Sequence, residues 1–250
     1  MTASVTSPEA DARPLARRML GRIADDGRVL FGDAWRTVRA RRLTAAPLAF
    51  VCGVAVLVVA WLDHRPWGSR WIARWATEYA GSDWWWFFVR LVPSLFAPTE
   101  LLPFWLAWIQ VTIVLACCEV LIGPLRTAVV GLVCHTLATV SARLFIDVGP
   151  GWLLGIAESY RFFADTGPSA ATIGLGMYVS VVKRTPTLFV LLALYAAVEV
   201  VTRWGLAQRE HAVAVAAGLA FGAIELRVRH QRATDVQRRR QPRRREPVGS

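Results

Sequence analysis

Two side chains have the type and setting to do chemistry together, Ser169 and His211. Ser169 follows Asp165-Thr166-Gly167-Pro168 at the start of one apolar run, and His211 follows Glu210 at the start of another. A hydroxyl held against an imidazole is a minimal nucleophile and base. The imidazole takes the hydroxyl proton as the serine attacks a carbonyl, then returns it to the leaving group. A serine at a helix start also has an unpaired backbone N–H to offer a developing oxyanion. Such a pair needs two helices in close approach, which small residues permit. Gly174 lies five positions beyond Ser169, and Ala214, Gly218 and Gly222 form a small-residue face beyond His211. The same residues also fit a plainer arrangement, with Ser169 as a helix cap, His211 solvated and the glycines only packing.

The elements that must hold this pair are hydrophobic. The chain has 250 residues, 55% of them apolar, with twelve tryptophans, and its apolar residues gather into long runs nearly free of charge. A helix crosses a hydrocarbon core of about 30 Å with about 20 such residues. Spans are expected over 45–62, 101–122, 127–146, 168–182, 186–201 and 210–226, giving an all-α membrane protein with a bundle of six transmembrane helices. Trp67, Trp71 and Trp75 share one helical face beside Arg70 and Arg74, so the first loop, 63–100, is expected to lie at headgroup level. Residues 44–226 form the membrane domain. Residues 1–43 form a basic tail, for which a surface amphipathic helix and a disordered segment are both open, and residues 227–250 form an arginine-rich tail expected to be disordered.

Charge orients the bundle. The net charge is +11, with nine arginines before Thr44 and nine after Glu225. They flank the apolar block and suit membrane lipid headgroups, which argues against a nucleic-acid partner. Placing both termini and the short basic turns at Arg126 and Lys183-Arg184 in the cytoplasm requires an even number of spans. Ser169 and His211 then share the outer side. The first apolar run starts near Thr44, too far from Met1 for a signal peptide, and is expected to remain as a span. Arginine and alanine dominate, Lys183 is the sole lysine, and a bacterial plasma membrane is expected. The cysteines Cys52, Cys117, Cys118 and Cys134 lie in apolar runs without CxxC or CxxH spacing, so neither a metal nor another cofactor is expected.

Several polar residues interrupt the spans. Glu119 is expected to make a structural hydrogen bond or an ion pair with Arg126 across the Gly123-Pro124 turn. His135 is expected to pack between helices, Arg143 to snorkel, and Glu199 to reach water and pair with Arg203. Gln110 is a possible hydrogen-bond donor toward the serine.

In order along the chain, these features resemble the rhomboid family of intramembrane serine proteases. Gly167-Pro168-Ser169 with Gly174-Leu175 is similar to that family's fourth-span motif, and His211 with Ala214, Gly218 and Gly222 to its sixth. Glu119, Gly123 and Arg126 resemble the close of its second span, and Leu91 to Phe96 the approach to that span. The resemblance covers about residues 45–226. It implies Ser169 as nucleophile and His211 as general base, a dyad without a carboxylate, with Gly167 and Gln110 on the oxyanion side, and cleavage of single-span client proteins near the outer face. Counted back from Glu119, the family's side-chain oxyanion donors fall on Pro103 and Ala107, which have none to offer. Ala170 replaces a glycine and Ile173 an aromatic residue. These departures favour an alternative, a catalytically inactive relative that binds the transmembrane helices of its clients. A transporter has less support, because no inverted repeat is visible. Client identity and oligomeric state are left open.

Overall fold

Proline and glycine set the boundaries of most helices. The computed structural model describes residues 9–97, 103–152, 154–202 and 205–240, and within them the chain is mostly helical. The helices are α1 (Glu9–Gly27), α2 (Asp33–Arg41), α3 (Pro47–Asp63), α4 (Pro66–Trp75), α5 (Trp84–Ser94), α6 (Phe104–Ile122), α7 (Pro124–Val148), α8 (Ser169–Val182), α9 (Pro186–Thr202) and α10 (Leu206–Arg240). Proline opens α3, α4, α7 and α9, where its missing N–H costs nothing and its fixed φ suits the first turn. Gly123 joins α6 to α7 at φ 88°, a conformation that favours glycine.

Three helices, α6, α7 and α10, are long and apolar enough to cross a membrane. The apolar helices α3, α8 and α9 are shorter, at 17, 14 and 17 residues. The observed helices cover the six expected apolar runs, shifted by a few residues at their ends; residues 101 and 102 lie outside the described residues.

The core is built around α8, which has eleven of its residues buried and packs against α6, α7, α9 and α10. Its partner α10 lies close and parallel. A Cβ on Gly218 would lie 2.2 Å from the Gly174 carbonyl oxygen, and one on Gly222 would lie 2.7 Å from Val181 Cβ. Ala170 and Ala214 cluster with Ala138 of α7 one turn nearer the start of both helices. The pairs Ala170–Ala214 and Gly174–Gly218 keep one register, so α8 and α10 begin at the same end of the bundle. We call this the site end, and the opposite one the tail end.

At the tail end one expectation is narrowed and another changes. Glu119 takes the structural hydrogen bond expected of it and not the alternative ion pair with Arg126. Its buried carboxylate accepts the N–H groups of Leu48 at 3.1 Å and Ala49 at 2.9 Å, closing the exposed start of α3, where helix dipole and unpaired donors favour an anion. Arg126 instead lies 3.4 Å from Glu225 of α10. The change concerns the carboxy-terminal tail, which continues α10 as helix through Arg240 rather than becoming disordered at 227; residues 241–250 lie outside the described residues. Arginine, glutamine and alanine are good helix formers, and Arg229 pairs with Glu225 one turn back.

The amino-terminal segment takes the helical alternative over residues 9–41, with a π-helical turn at Arg28–Gly32; residues 1–8 lie outside the described residues. Met19, Leu20, Ile23, Phe31 and Trp35 remain exposed among arginines. Asp26 ties this segment to the bundle, because its carboxylate accepts the Thr187 N–H at 2.6 Å and caps α9.

Candidate functional site

At the site end the loops are joined by a two-stranded antiparallel ladder, absent from the sequence expectations. It pairs Glu78 with Asp165 and Tyr79 with Ala164. The ladder holds the segment leading into Ser169 against the first loop. Arg143 anchors it from below. Expected to snorkel, Arg143 is instead buried, forming an ion pair with Glu78 and donating to Ser82 O at 2.7 Å. Its guanidinium also stacks over Trp84 and Phe87, each 4.9 Å from the ring centre. Trp67 and Trp71 of α4 are exposed, and Trp75 packs edge-on to Trp86.

Ser169 opens α8 and is half-buried. The helix is about 21 Å long at about 1.5 Å per residue, shorter than a hydrocarbon core of about 30 Å. Thr172 N–H is the first to find an intrahelical acceptor, Pro168 O at 2.9 Å. The N–H groups of Ser169, Ala170 and Ala171 therefore precede the ladder of helix bonds and point out of the helix start. Gly167 has a different part from the expected one. At φ 115° it donates its N–H to Ser94 O at 2.9 Å, so that donor is committed to the scaffold rather than to an oxyanion. Gln110 donates its amide to Thr172 Oγ1 at 2.6 Å, which places it against α8 one turn beyond Ser169. Ala107 is buried beside it.

His211 is 7% exposed and faces α9. Its Nδ1 lies 2.5 Å from Glu199 Oε2, and its ring is tilted over Tyr195 at 6.0 Å. Its Nε2 is buried and has no hydrogen-bond partner among the described residues. Glu199 thus meets His211; Arg203, its expected partner, lies outside the described residues. The available signal was an ionisable residue inside an apolar run, which marks a functional position by default.

Helical spacing places Ser169 on the same side. Gly176, two turns along the face of Ser169, lies against α9, where an added Cβ would be 3.1 Å from Leu192. From that contact, seven residues back along α8 reach Ser169, and seven forward along α9 reach Glu199. Each rises about 10 Å at about 1.5 Å per residue. Ser169, Glu199 and His211 therefore lie at the same end of three adjacent helices, but only Glu199 and His211 are in contact, and no hydrogen bond joins Ser169 to the His211 ring. An apolar cavity of about 190 Å³ lies on another face of α8, lined by Val92, Leu95, Val111, Ala171 and Leu175, and does not join them.

The remaining buried polar groups support this layer. Ser94 donates to Leu91 O at 3.0 Å and so accepts from His135 Nε2 at 3.1 Å, while the His135 Nδ1 is buried without a hydrogen-bond partner among the described residues. Asp165 shares a side-chain hydrogen bond with Glu210. Two carboxyl groups can bond in this way only if one carries a proton. Burial raises the Asp165 carboxyl above its ordinary range, while the bond to Glu210 and the charges of His135, Arg143 and His211 act the other way. A carboxyl raised on folding stabilises the fold fully below its unfolded value of about 3.9, and that contribution is lost as pH rises through the folded value. Thermal unfolding in detergent should therefore show a shallower loss of Tm as pH rises above about 4 in Asp165→Asn than in the wild type. Parallel slopes for the two proteins would contradict the shared proton.

Among the described residues no group of three His, Cys, Asp or Glu side chains is arranged to hold a metal. Comparisons with family models, with curated proteins and with solved structures find no match.

Proposed function

We propose that the chain is a rhomboid-like intramembrane serine protease, with six spans in a bacterial plasma membrane and both termini in the cytoplasm. Ser169 is the nucleophile and His211 the general base. What supports this reading is that Ser169 and His211 stand at the same end of two tightly packed parallel helices, with the His211 Nε2 buried and unpaired among the described residues. In the acylation step His211 Nε2 removes the Ser169 proton as Oγ bonds to the scissile carbonyl carbon. The same proton passes to the departing amine, and water then releases the acyl group by the reverse sequence. The backbone N–H groups at the start of α8 receive the oxyanion. The short α8 sets this chemistry below the membrane surface, where the backbone of a single-span client reaches it.

A second reading has its own observation. Ala107 and Pro103 carry no side-chain donor, and Gln110 is engaged by Thr172. One missing oxyanion donor costs about 10²–10³ in rate, which suits a protein that holds client helices without cutting them. A serine-reactive fluorophosphonate probe, applied to the purified full chain in detergent, separates the two. The protease is expected to label, and to lose the label in Ser169→Ala and His211→Ala while circular dichroism stays unchanged. Folded wild type that takes no label, or a label that survives Ser169→Ala, would leave only client binding.

A further inference from the structure

We propose that Glu199 is a positioning residue for His211, extending the serine–histidine pair to a relay of three groups across α8, α10 and α9. This rests on the reading of Ser169 and His211 as nucleophile and base. The Glu199 carboxylate can only accept a hydrogen bond, so the Nδ1 it faces at 2.5 Å carries the ring proton. The imidazole lone pair is then placed on Nε2, the atom that is buried without a partner. The contact fixes the tautomer a general base needs and turns the ring edge away from α9. It also stabilises the imidazolium that forms once the serine proton has been taken.

The three groups come from three helices of very different packing. Ser169 stands on the encased α8 and His211 on α10, which is locked to α8 through Gly174 and Gly218. Glu199 stands on α9, whose apolar residues Val190, Leu191, Leu194, Val198 and Val201 are exposed and whose Ala196 is buried. The carboxylate is thus the one member of the relay carried by a lightly packed element. It is 15% exposed at the side chain, against 9% for the histidine. A shift of α9 away from α8 carries Glu199 off the ring and releases its orientation. The orientation of the His211 ring is thereby tied to the position of α9, which Asp26 holds at the tail end through Thr187.

The test compares second-order rates of fluorophosphonate labelling for wild type, Glu199→Gln and Glu199→Asp in the full chain, with Tm measured for each. Glu199→Gln is expected to slow labelling about 10²-fold or more, within the range for loss of a well-oriented acid–base group. Glu199→Asp should recover part of the rate, and Tm should move little in either. Labelling of Glu199→Gln within about threefold of a Ser169-dependent wild-type rate would overturn the proposal. If wild type shows no Ser169-dependent label, the protease reading fails, and ¹⁵N-histidine NMR of the same protein still decides the contact. A strongly deshielded Nδ1-bound proton, present in wild type and absent from both Glu199→Gln and His211→Ala, supports the positioning role. Its absence from wild type overturns it. The overturning result needs only the native chain, so the proposal can still fail if a variant does not fold.

Discussion

Arg143→Met is expected to lower stability by about 3–5 kcal/mol, the usual cost of removing one partner from a buried ion pair. Glu78 is fully buried and Arg143 nearly so. Their attraction, the bonds from Arg143 to Ser82 O and Tyr79 O, and its stacking on Trp84 and Phe87 together offset desolvation. Burial pushes the Glu78 carboxyl up while Arg143 draws it down. Without Arg143 only the charge of Arg90 still opposes burial and the neighbouring Asp165, and Glu78 must take up a proton or remain charged without its ion-pair partner. Thermal unfolding in detergent should show a fall in Tm on the order of 10 °C. Converting the partner as well, in Arg143→Met with Glu78→Leu, should recover much of the loss, since an apolar pair of similar volume substitutes for a buried ion pair with little penalty. A double variant no more stable than the single one would show that Arg143 acts through something other than Glu78. The damage should spread to the site, because Glu78 pairs in the ladder with Asp165, four residues before Ser169.

The second large effect lies at the contact of α8 with α10. Gly218→Val should cost about 3 kcal/mol or more, at the upper end of overpacking penalties. Its Cβ would meet the Gly174 carbonyl oxygen at 2.2 Å and Met177 Cβ at 3.1 Å. Backbone cannot rotate out of the way as a side chain can, so the helices must separate. Separation moves Ser169 and His211 apart, and fluorophosphonate labelling should disappear along with the loss of Tm. Gly151→Ala serves as the control, since its added Cβ meets nothing within 4 Å and should change neither measurement. Equal stability of Gly218→Val and the control would contradict the close approach.

Much of the frame was legible along the chain, because the forces that set it are local. Pro47, Pro124 and Pro186 each mark a helix start, and Gly123 marks a turn that a side chain would strain. The small residues Gly174, Ala214, Gly218 and Gly222 announced a tight contact, since their spacing repeats on one helical face. Trp67 and Trp71 announced an exposed aromatic face in the same way. Over residues 227–240 the charge-rich composition suggests disorder, yet the run is helical, because arginine favours helix.

The partners of the charged and polar residues were not legible. Chain position by itself suggests snorkelling for Arg143 and a near neighbour, Arg126, for Glu119. The fold instead matches Arg143 with Glu78, 65 residues away, and Glu119 with the start of α3, about 70 residues away. Glu199 meets His211 across a helix connection. Periodicity tells which face of a helix is apolar but not which helix lies against it. A charge enclosed in apolar surroundings takes whichever opposite group or unpaired N–H the packing brings within reach, because leaving it unmatched costs more than any local contact returns.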